Sequence, residues 1–268
     1  IEPPGGTRGT EMELRLTGSD LADPREVFFE EGRIEVLSLE ADGSGVKAKI
    51  RIAEDCPLGP RRVRVRTASG LSELRLFQVH RWPQQQEKEP NDLPEKAMPI
   101  DPLAGTRTLW GALRGEDVDS FRLTLPAGAR LSAVVEAVRL DQQMLDTHLE
   151  LVDAAGFVVA ACDDHPLLSQ DPALTVTVEK AGDYVLRIRE SAYAGNGVYM
   201  LHVGTFPVPT TAFPPGGVAG DEIDVEWMGD PAGSFRERIR LPQSGLDRLG
   251  RVCPSRDGAE SAVCVPLR

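Results

Sequence analysis

Acidic and amide side chains crowd into two short segments of the chain, and their spacing suits a cation. The residues are Glu87, Glu89, Asn91 and Asp92 in the first segment and Glu116, Asp117 and Asp119 in the second. Alternate residues of an extended chain point to the same side, so each acidic pair faces one way. Calcium takes about 6–8 oxygen ligands from carboxylates, amides and carbonyls. Two acidic strips that face each other repel unless a cation lies between them, so the sequence predicts a calcium site. The other interpretation of these residues is a solvated linker beside an acidic turn.

A second acidic group is the run Asp163-Asp164-His165, with Asp146 and Asp153 upstream. It has the residue types to bind a metal or to orient the histidine. A loop of this composition more often caps a strand, so we predict a structural role.

Catalytic motifs are absent from the sequence. The four histidines do not form HExxH, and no GxSxG occurs. Asp164-His165 with a serine would make a triad, and sequence order does not exclude this because triads are defined by geometry. We predict a protein that is not an enzyme and assign no catalytic residue.

The overall charge excludes some partners. The chain has 268 residues and a formal net charge of −12, so it lacks the basic footprint that nucleic acid or an anionic membrane surface requires. No run approaches the ~18–20 apolar residues that cross a bilayer. The first residues read as the entrance to a strand, and we expect a segment of a larger exported protein, either secreted or at the cell surface.

The four cysteines divide into two kinds. Cys253 and Cys264 flank a glycine-containing turn, and a disulfide between them fits an oxidising compartment. Cys56 and Cys162 stand alone and are predicted to be small buried apolar residues.

Period-two alternation of apolar residues predicts an all-β protein. Examples of alternating residues are Val46, Ala48, Ile50 and Ile52, and then Phe121, Leu123 and Leu125. Residues 1–80 contain six or seven such runs and predict an immunoglobulin-like sandwich. Residues 81–92 have the polar, proline-containing composition of an acidic linker. Residues 93–204 contain eight or nine runs and predict a jelly-roll sandwich.

An internal repeat indicates a third unit. The run Pro-Pro-Gly-Gly-x-x-Gly near the start of the chain returns in residues 213–220, and the strand after it, 222–227, aligns with 11–16. We therefore predict that 205–268 is a second immunoglobulin-like unit, short or truncated. The fold expected is a tandem array of β-sandwiches.

The first unit resembles a known module. The Pro-Pro-Gly-Gly-x-x-Gly run and residues 58–65 (Leu-Gly-Pro-Arg-Arg-Val-Arg-Val) are similar to the immunoglobulin-like, transcription-factor-type (IPT/TIG) domains of bacterial surface proteins. The tandem arrangement resembles that of large exported planctomycete proteins.

Residues 87–204 resemble the bacterial pre-peptidase C-terminal domain, which is related to the collagen-binding domains of collagenases. The motifs are 87–92 (Glu-Lys-Glu-Pro-Asn-Asp), 115–121 (Gly-Glu-Asp-Val-Asp-Ser-Phe), 146–151 (Asp-Thr-His-Leu-Glu-Leu), 182–184 (Gly-Asp-Tyr) and 199–201 (Tyr-Met-Leu). The resemblance implies a jelly roll that accompanies exported enzymes without doing their chemistry. It also implies calcium chelation by the two acidic segments. Collagen binding needs aromatic residues on a sheet face, and the chain has only three tyrosines, which argues against it.

The function predicted is a non-catalytic extracellular structural or adhesion module, stiffened by calcium at the first domain junction. The alternative is a carbohydrate- or protein-binding module of a secreted hydrolase, with a surface or matrix polysaccharide or protein as partner. Trp82, Trp110 and Trp227 would then be sugar-stacking platforms. A tryptophan in a linker more often packs between domains, and we predict packing for Trp82.

Overall fold

Seven strands form the first unit. The computed structural model describes residues 1–30, 32–43, 45–241 and 250–267. The strands are β1 (Gly5–Thr7), β2 (Glu11–Thr17), β3 (Pro24–Phe29), β4 (Ile34–Asp42), β5 (Gly45–Ile52), β6 (Gly59–Thr67) and β7 (Arg75–His80). They make a three-stranded sheet in the order β2-β5-β4 and a four-stranded sheet in the order β1-β7-β6-β3. Leu14 and Ile50 from the first sheet and Phe77 from the second are fully buried between them. The unit is therefore a β-sandwich.

Ten strands form the second unit. They are β8 (Gln84–Gln86), β9 (Met98–Pro99), β10 (Arg107–Arg114), β11 (Val118–Leu125), β12 (Arg130–Glu136), β13 (Thr147–Asp153), β14 (Val158–Cys162), β15 (Ala173–Thr177), β16 (Gly182–Glu190) and β17 (Asn196–Gly204). Two five-stranded sheets result, in the orders β15-β12-β17-β10-β8 and β14-β13-β16-β11-β9. The alternating residues of both sheets face one shared core, which includes Leu109, Phe121 and Leu201.

The segment 81–92 is folded into this second sandwich. Strand β8 pairs in parallel with β10, with Gln86 opposite Trp110. Asn91, further along, is fully buried. The polar composition of the segment reflects its position at a sheet edge, where one side of the strand contacts solvent.

The third unit contributes shorter strands. They are β18 (Thr211–Phe213), β19 (Glu222–Met228), β20 (Phe235–Arg240), β21 (Gly250–Val252), β22 (Ser255–Arg256), β23 (Ala259–Glu260) and β24 (Val265–Leu267). Strands β18, β19 and β20 form one sheet, and the others pair as β21-β24 and β22-β23. A disulfide joins Cys253 to Cys264. The core around Trp227 also contains Val134 and Leu168 of the second unit, so the two units share apolar packing. Residues 242–249 of the predicted unit 205–268 lie outside the described residues.

The internal repeat is visible in three dimensions. Strands β2 and β19 bury the same aligned positions, Leu14 with Val225 and Leu16 with Trp227. The repeat aligns Glu2 with Phe213 and Arg15 with Glu226. Glu2 forms a β-bridge with Arg15, and Phe213 pairs with Glu226 in the same way. The sequence repeat therefore corresponds to a repeated strand arrangement.

The all-β prediction is confirmed. Among the described residues the only helices are two short 3-10 turns, Pro94–Lys96 and Val138–Leu140. A search of that part of the chain found no helix with the length and apolar character needed to span a bilayer.

Candidate metal centre

Strand β8 delivers Glu87 onto the neighbouring strand β10. The backbone N–H of Glu87 donates to the Trp110 carbonyl at 3.0 Å, which continues the β8–β10 ladder. The Glu87 side chain then folds over the same strand, where its Oε1 accepts a hydrogen bond from the Ala112 N–H at 2.8 Å. Glu87 is thus fixed by both its backbone and its side chain.

Gly111 makes room for the Glu87 carboxylate. A Cβ atom at this position would lie 1.9 Å from Glu87 Oε1, a distance that no side chain tolerates. Gly111 pairs with Tyr199 of β17, and the Tyr199 hydroxyl donates to Glu87 Oε2 at 2.6 Å. The absence of a side chain on β10 therefore lets the carboxylate approach the sheet closely.

Three carboxylates converge at this point. One oxygen from each of Glu87, Glu89 and Asp119 lies within 4.8 Å of the others. Asp119 is fully buried on β11, whereas Glu89 is exposed at the rim. No described lysine or arginine forms an ion pair with any of the three. The cluster therefore runs from a fully buried carboxylate to an exposed one.

Buried acceptor atoms in the cluster lack donors. Both carboxylate oxygens of Asp119 and the Oδ1 of Asn91 are buried with no hydrogen-bond partner. The other groups of Asn91 are used, since its N–H donates to Glu89 Oε2 at 2.9 Å and its Nδ2 donates to Glu87 Oε2 at 3.4 Å. A buried acceptor without a partner costs about 1–3 kcal/mol, and more when it is charged. A bound cation would satisfy all three atoms at once.

The pKa values reflect the crowding. Burial, and after it the Glu87 charge, raises the pKa of Asp119 to about 10. Burial, contact with the Asp92 carboxyl group and the Glu89 charge raise the pKa of Asp117 to about 6. Burial also raises the pKa of Glu89, with the charges of Glu87 and Asp92 adding to it. Without a cation the site therefore retains a proton at neutral pH.

The remaining predicted ligands lie at different depths. Asp92 and Asp117 contact each other beside Glu89, and Asp117 also accepts a hydrogen bond from the Arg114 N–H at 3.2 Å. Glu116 is exposed in the β10–β11 turn and has no hydrogen bond to the other predicted ligands within the described part of the chain. The structure thus brings six of the seven predicted residues together and leaves Glu116 at the surface.

Tyr199 and Gly111 are site residues that sequence reasoning did not assign to the metal centre. Both belong to central strands, where tyrosine and glycine are ordinary residues. The Tyr-Met-Leu motif at 199–201 was the one signal, since it accompanied the acidic motifs in the resemblance.

The second acidic group lies elsewhere in the sandwich. The Asp163 Oδ1 accepts a hydrogen bond from the Ser191 hydroxyl at 2.7 Å. His165 is buried, and its Nδ1 accepts the Leu167 N–H at 3.3 Å. Among the described serines none hydrogen bonds to His165, so the structure does not assemble the triad considered above.

Two other histidines meet at the junction of the units. Thr108 Oγ1 lies 2.9 Å from His202 Nδ1 and 3.4 Å from His80 Nδ1. His202 Nε2 is 3.9 Å from Glu136. Burial, and after it the neighbouring His202, lowers the pKa of His80 to about 4. Glu136 has a pKa of about 2 although its burial opposes ionisation, because Arg139 and His202 stabilise the carboxylate.

Trp82 packs between units, as predicted. Its ring stacks on Phe206 with centroids 6.1 Å apart and tilts against His202 at 5.1 Å. Its carbonyl accepts a hydrogen bond from Thr7 of the first unit at 2.7 Å. Trp82 therefore connects the first unit to the second and to the segment that leads into the third.

Comparison with known proteins identifies no family. No protein-family model matches the chain, and no curated protein matches it. A solved structure with partial similarity is PliG of Aeromonas hydrophila, a periplasmic inhibitor of g-type lysozyme, at 11% identity over 46% of this chain and 96% of that chain with a TM-score of 0.32. Another is SGBP-B of the Bacteroides ovatus mixed-linkage glucan utilization locus, solved with a heptasaccharide, at 10% identity, 76% and 72% coverage, and a TM-score of 0.25. Scores this low carry no argument about the function of this chain.

Proposed function

We propose that this chain is a non-catalytic extracellular structural or adhesion module of a larger exported protein, stiffened by calcium where its first two units meet. One observation carries the proposal. The Asp119 carboxylate is fully buried, has no hydrogen-bond partner and faces two further carboxylates. A buried carboxylate in this setting is expected to be protonated or to bind a cation.

The donor set favours calcium among the common metal ions. All ligand atoms on offer are oxygens from carboxylates and one amide, which suit a hard cation. Glu87, Glu89 and Asp119 would supply the charged ligands, and Asn91 would supply its free Oδ1. Calcium accepts irregular oxygen geometry more readily than magnesium, which requires a near-ideal octahedron.

The position of the site explains what calcium would do mechanically. Strand β7 of the first unit ends at His80 and strand β8 begins at Gln84, so only three residues separate them. A cation held by Glu87, Glu89 and Asp119 would fasten the edge segment to β11 in the opposite sheet. This would stiffen the edge segment that begins three residues after the first unit ends.

Other features support the extracellular placement. The Cys253–Cys264 disulfide is of a kind that persists in oxidising compartments. The resemblance of the sequence motifs to the IPT/TIG domains of bacterial surface proteins and to pre-peptidase C-terminal domains supports the same setting.

A thermal melt with calcium and with excess chelator tests the proposal. Calcium at about 100 times its dissociation constant is expected to stabilise the folded chain by about 2.7 kcal/mol. Asp119→Asn is the sharpest variant, because asparagine matches the protonated acid in shape but cannot supply a charged ligand. Its melting temperature in chelator should match that of the native chain, and calcium should not raise it.

Glu179→Gln, an exposed acid in the same sandwich, is the matched control and should respond to calcium like the native chain. An equal melting temperature with calcium and with chelator would rule the site out.

Ligand binding is a second candidate function, and one observation favours it. A cavity of about 460 Å³ lies where the three units meet, with Trp82 and His202 in its wall. Cavities of about 300–1,000 Å³ at domain interfaces are typical small-molecule sites. Screening soluble sugars and organic acids by calorimetry separates a binding module from a passive spacer.

A further inference from the structure

The junction cavity has walls of two kinds. Leu58 and Pro60 of the first unit, the Trp82 ring and the Cys253–Cys264 disulfide give it apolar surface. The other lining side chains include several ionic groups. A cavity lined by both apolar and charged groups suits a small amphiphilic molecule.

The ionic groups leave an excess of positive charge. The charged lining residues are Arg8, Arg81, Arg139 and Arg240, with Glu136 and Glu260. Arg139 pairs with Asp171 at 2.6 Å and with Glu136 at 3.3 Å, and Arg81 pairs with Glu260. Arg8 and Arg240 have no ion pair with any described residue. The cavity lining thus has two more arginines than glutamates, and Asp171 beside Arg139 offsets one of the extra positive charges.

The Arg8 charge acts on both members of the Arg81–Glu260 pair. Arg8 is half-buried, and its backbone N–H donates to the His80 carbonyl at 2.9 Å, which fixes it at the cavity. Burial, with the Arg8 charge as a further cause, lowers the pKa of Arg81. The Nε of Arg81 is buried without an acceptor. Two guanidinium groups thus lie near each other, and Glu260 uses only one of the Arg81 nitrogens among the described contacts.

We propose that the junction cavity binds a small organic carboxylate, with Arg8 and Arg81 holding the carboxylate and the Trp82 side of the cavity holding the body of the molecule. Guanidinium groups present planar N–H donors that match a carboxylate in pairs. A ligand anion would add to the compensation that Glu260 already gives the two arginines. The inference rests on the second candidate function and is independent of calcium.

Calorimetric titration of the whole chain with matched pairs of compounds tests the proposal. The pairs are glucuronate with glucose, and benzoate with benzamide, so each acid has a neutral partner of similar shape. We expect at least one acid to bind ten times or more tighter than its neutral partner. Preference for glucuronate or for benzoate then distinguishes an acidic sugar from an aromatic acid as the ligand class. Arg8→Gln should weaken acid binding at least tenfold, whereas Arg122→Gln, an exposed arginine on β11, should not change it.

The contrary outcomes are distinct. Equal binding of an acid and its neutral partner would overturn the carboxylate assignment and leave a binding module standing. Inorganic phosphate binding as tightly as either acid would show that the cavity holds any anion and would also overturn it. No binding by any of the four compounds, or acid binding unchanged by Arg8→Gln, would remove both the assignment and the cavity as the site.

Discussion

Asp119 carries an energetic cost that only a ligand or a proton removes. The residue is fully buried on β11, and its pKa of about 10 means that the ion-free protein holds a proton there at neutral pH. A proton on Asp119 would still leave the buried Oδ1 of Asn91 without a donor. A neutral residue would serve a purely structural role, so the carboxylate at this position supports the proposed cation site.

Tyr199→Phe tests how the site is organised. Loss of the hydroxyl removes the hydrogen bond that holds Glu87 Oε2 at 2.6 Å, and such bonds to charged groups contribute about 1.5–3 kcal/mol. We expect calcium affinity to fall roughly tenfold or more with the fold retained. Tyr184→Phe is the matched control, because its hydroxyl donates to the Lys180 carbonyl in the same sandwich. Calcium titration followed by calorimetry measures both, and equal losses in the two variants would contradict the role of Tyr199.

Gly111→Ala tests the close approach of Glu87 to β10. The added methyl group would overlap the Glu87 carboxylate, so the carboxylate must leave its present position in the cluster. We expect the calcium-dependent rise in melting temperature to disappear while the sandwich still folds. Gly182→Ala places a methyl group where nothing lies within 4 Å and should leave the rise intact. A full calcium response in Gly111→Ala would show that Glu87 is not a ligand.

At the scale of elements, one buried ion pair connects the second and third units. Asp230 follows β19, and its Oδ2 lies 2.5 Å from the Arg130 guanidinium on β12. The same carboxylate accepts the N–H groups of Val208 at 2.7 Å and Ala232 at 2.8 Å. Although burial opposes ionisation, Arg130 and these N–H groups keep the pKa of Asp230 below its usual range.

Asp230→Ala should therefore destabilise the contact between these units. Removing one partner of a buried pair leaves the other charge without compensation, and a loss of about 3 kcal/mol is expected. Urea unfolding followed by tryptophan fluorescence measures the loss. Asp224→Ala, an exposed acid on β19, should change the free energy of unfolding by about 0.5 kcal/mol or less. Similar values for the two variants would contradict the account of this contact.

Sequence reasoning predicted strands well and burial of polar residues poorly. Alternation along β5 and β11 marks half-buried strands, because the period of two is a direct consequence of strand geometry. The Asp117-x-Asp119 spacing predicted that both carboxylates share a side. It did not show that Asp119 is fully buried, since burial depends on the edge segment that covers it.

Local sequence patterns could not predict which distant residues contact the site residues. Tyr199 lies 112 positions from Glu87 in the sequence, and only the folded sheet brings them to 2.6 Å. The same holds for His80 and His202, which meet through Thr108. Composition predicted a linker over 81–92, whereas pairing of β8 with β10 incorporates that segment into the sandwich.

At the scale of the whole molecule, the junction makes stability depend on pH. His80 is packed against His202, Thr108 and Gln84, with Glu136 beyond His202. Its pKa is about 4 in the folded chain and about 6.5 in an unfolded one. Between these values the unfolded chain binds more protons, so acid favours unfolding. The contribution of neutral His80 to the stability of the folded chain is complete above about pH 6.5 and is lost as the pH falls toward 4.

The expected contribution of His80 is about 3 kcal/mol between pH 6.5 and 4, since one pKa unit corresponds to about 1.4 kcal/mol. Asp119 acts in the opposite direction, because its raised pKa makes the folded chain the better proton binder. The test therefore compares how the free energy of unfolding by urea depends on pH in the native chain and in His80→Gln. The variant should lose less stability in acid than the native chain. Parallel curves would show that His80 does not titrate as described.

The most direct test of the central claim is a calorimetric titration of the whole chain with calcium, beside Asp119→Asn and Glu179→Gln. The account predicts one calcium ion bound by the native chain and by Glu179→Gln, and binding lost or weakened at least a hundredfold in Asp119→Asn. Absence of calcium binding by the native chain, or unchanged affinity in Asp119→Asn, would contradict it.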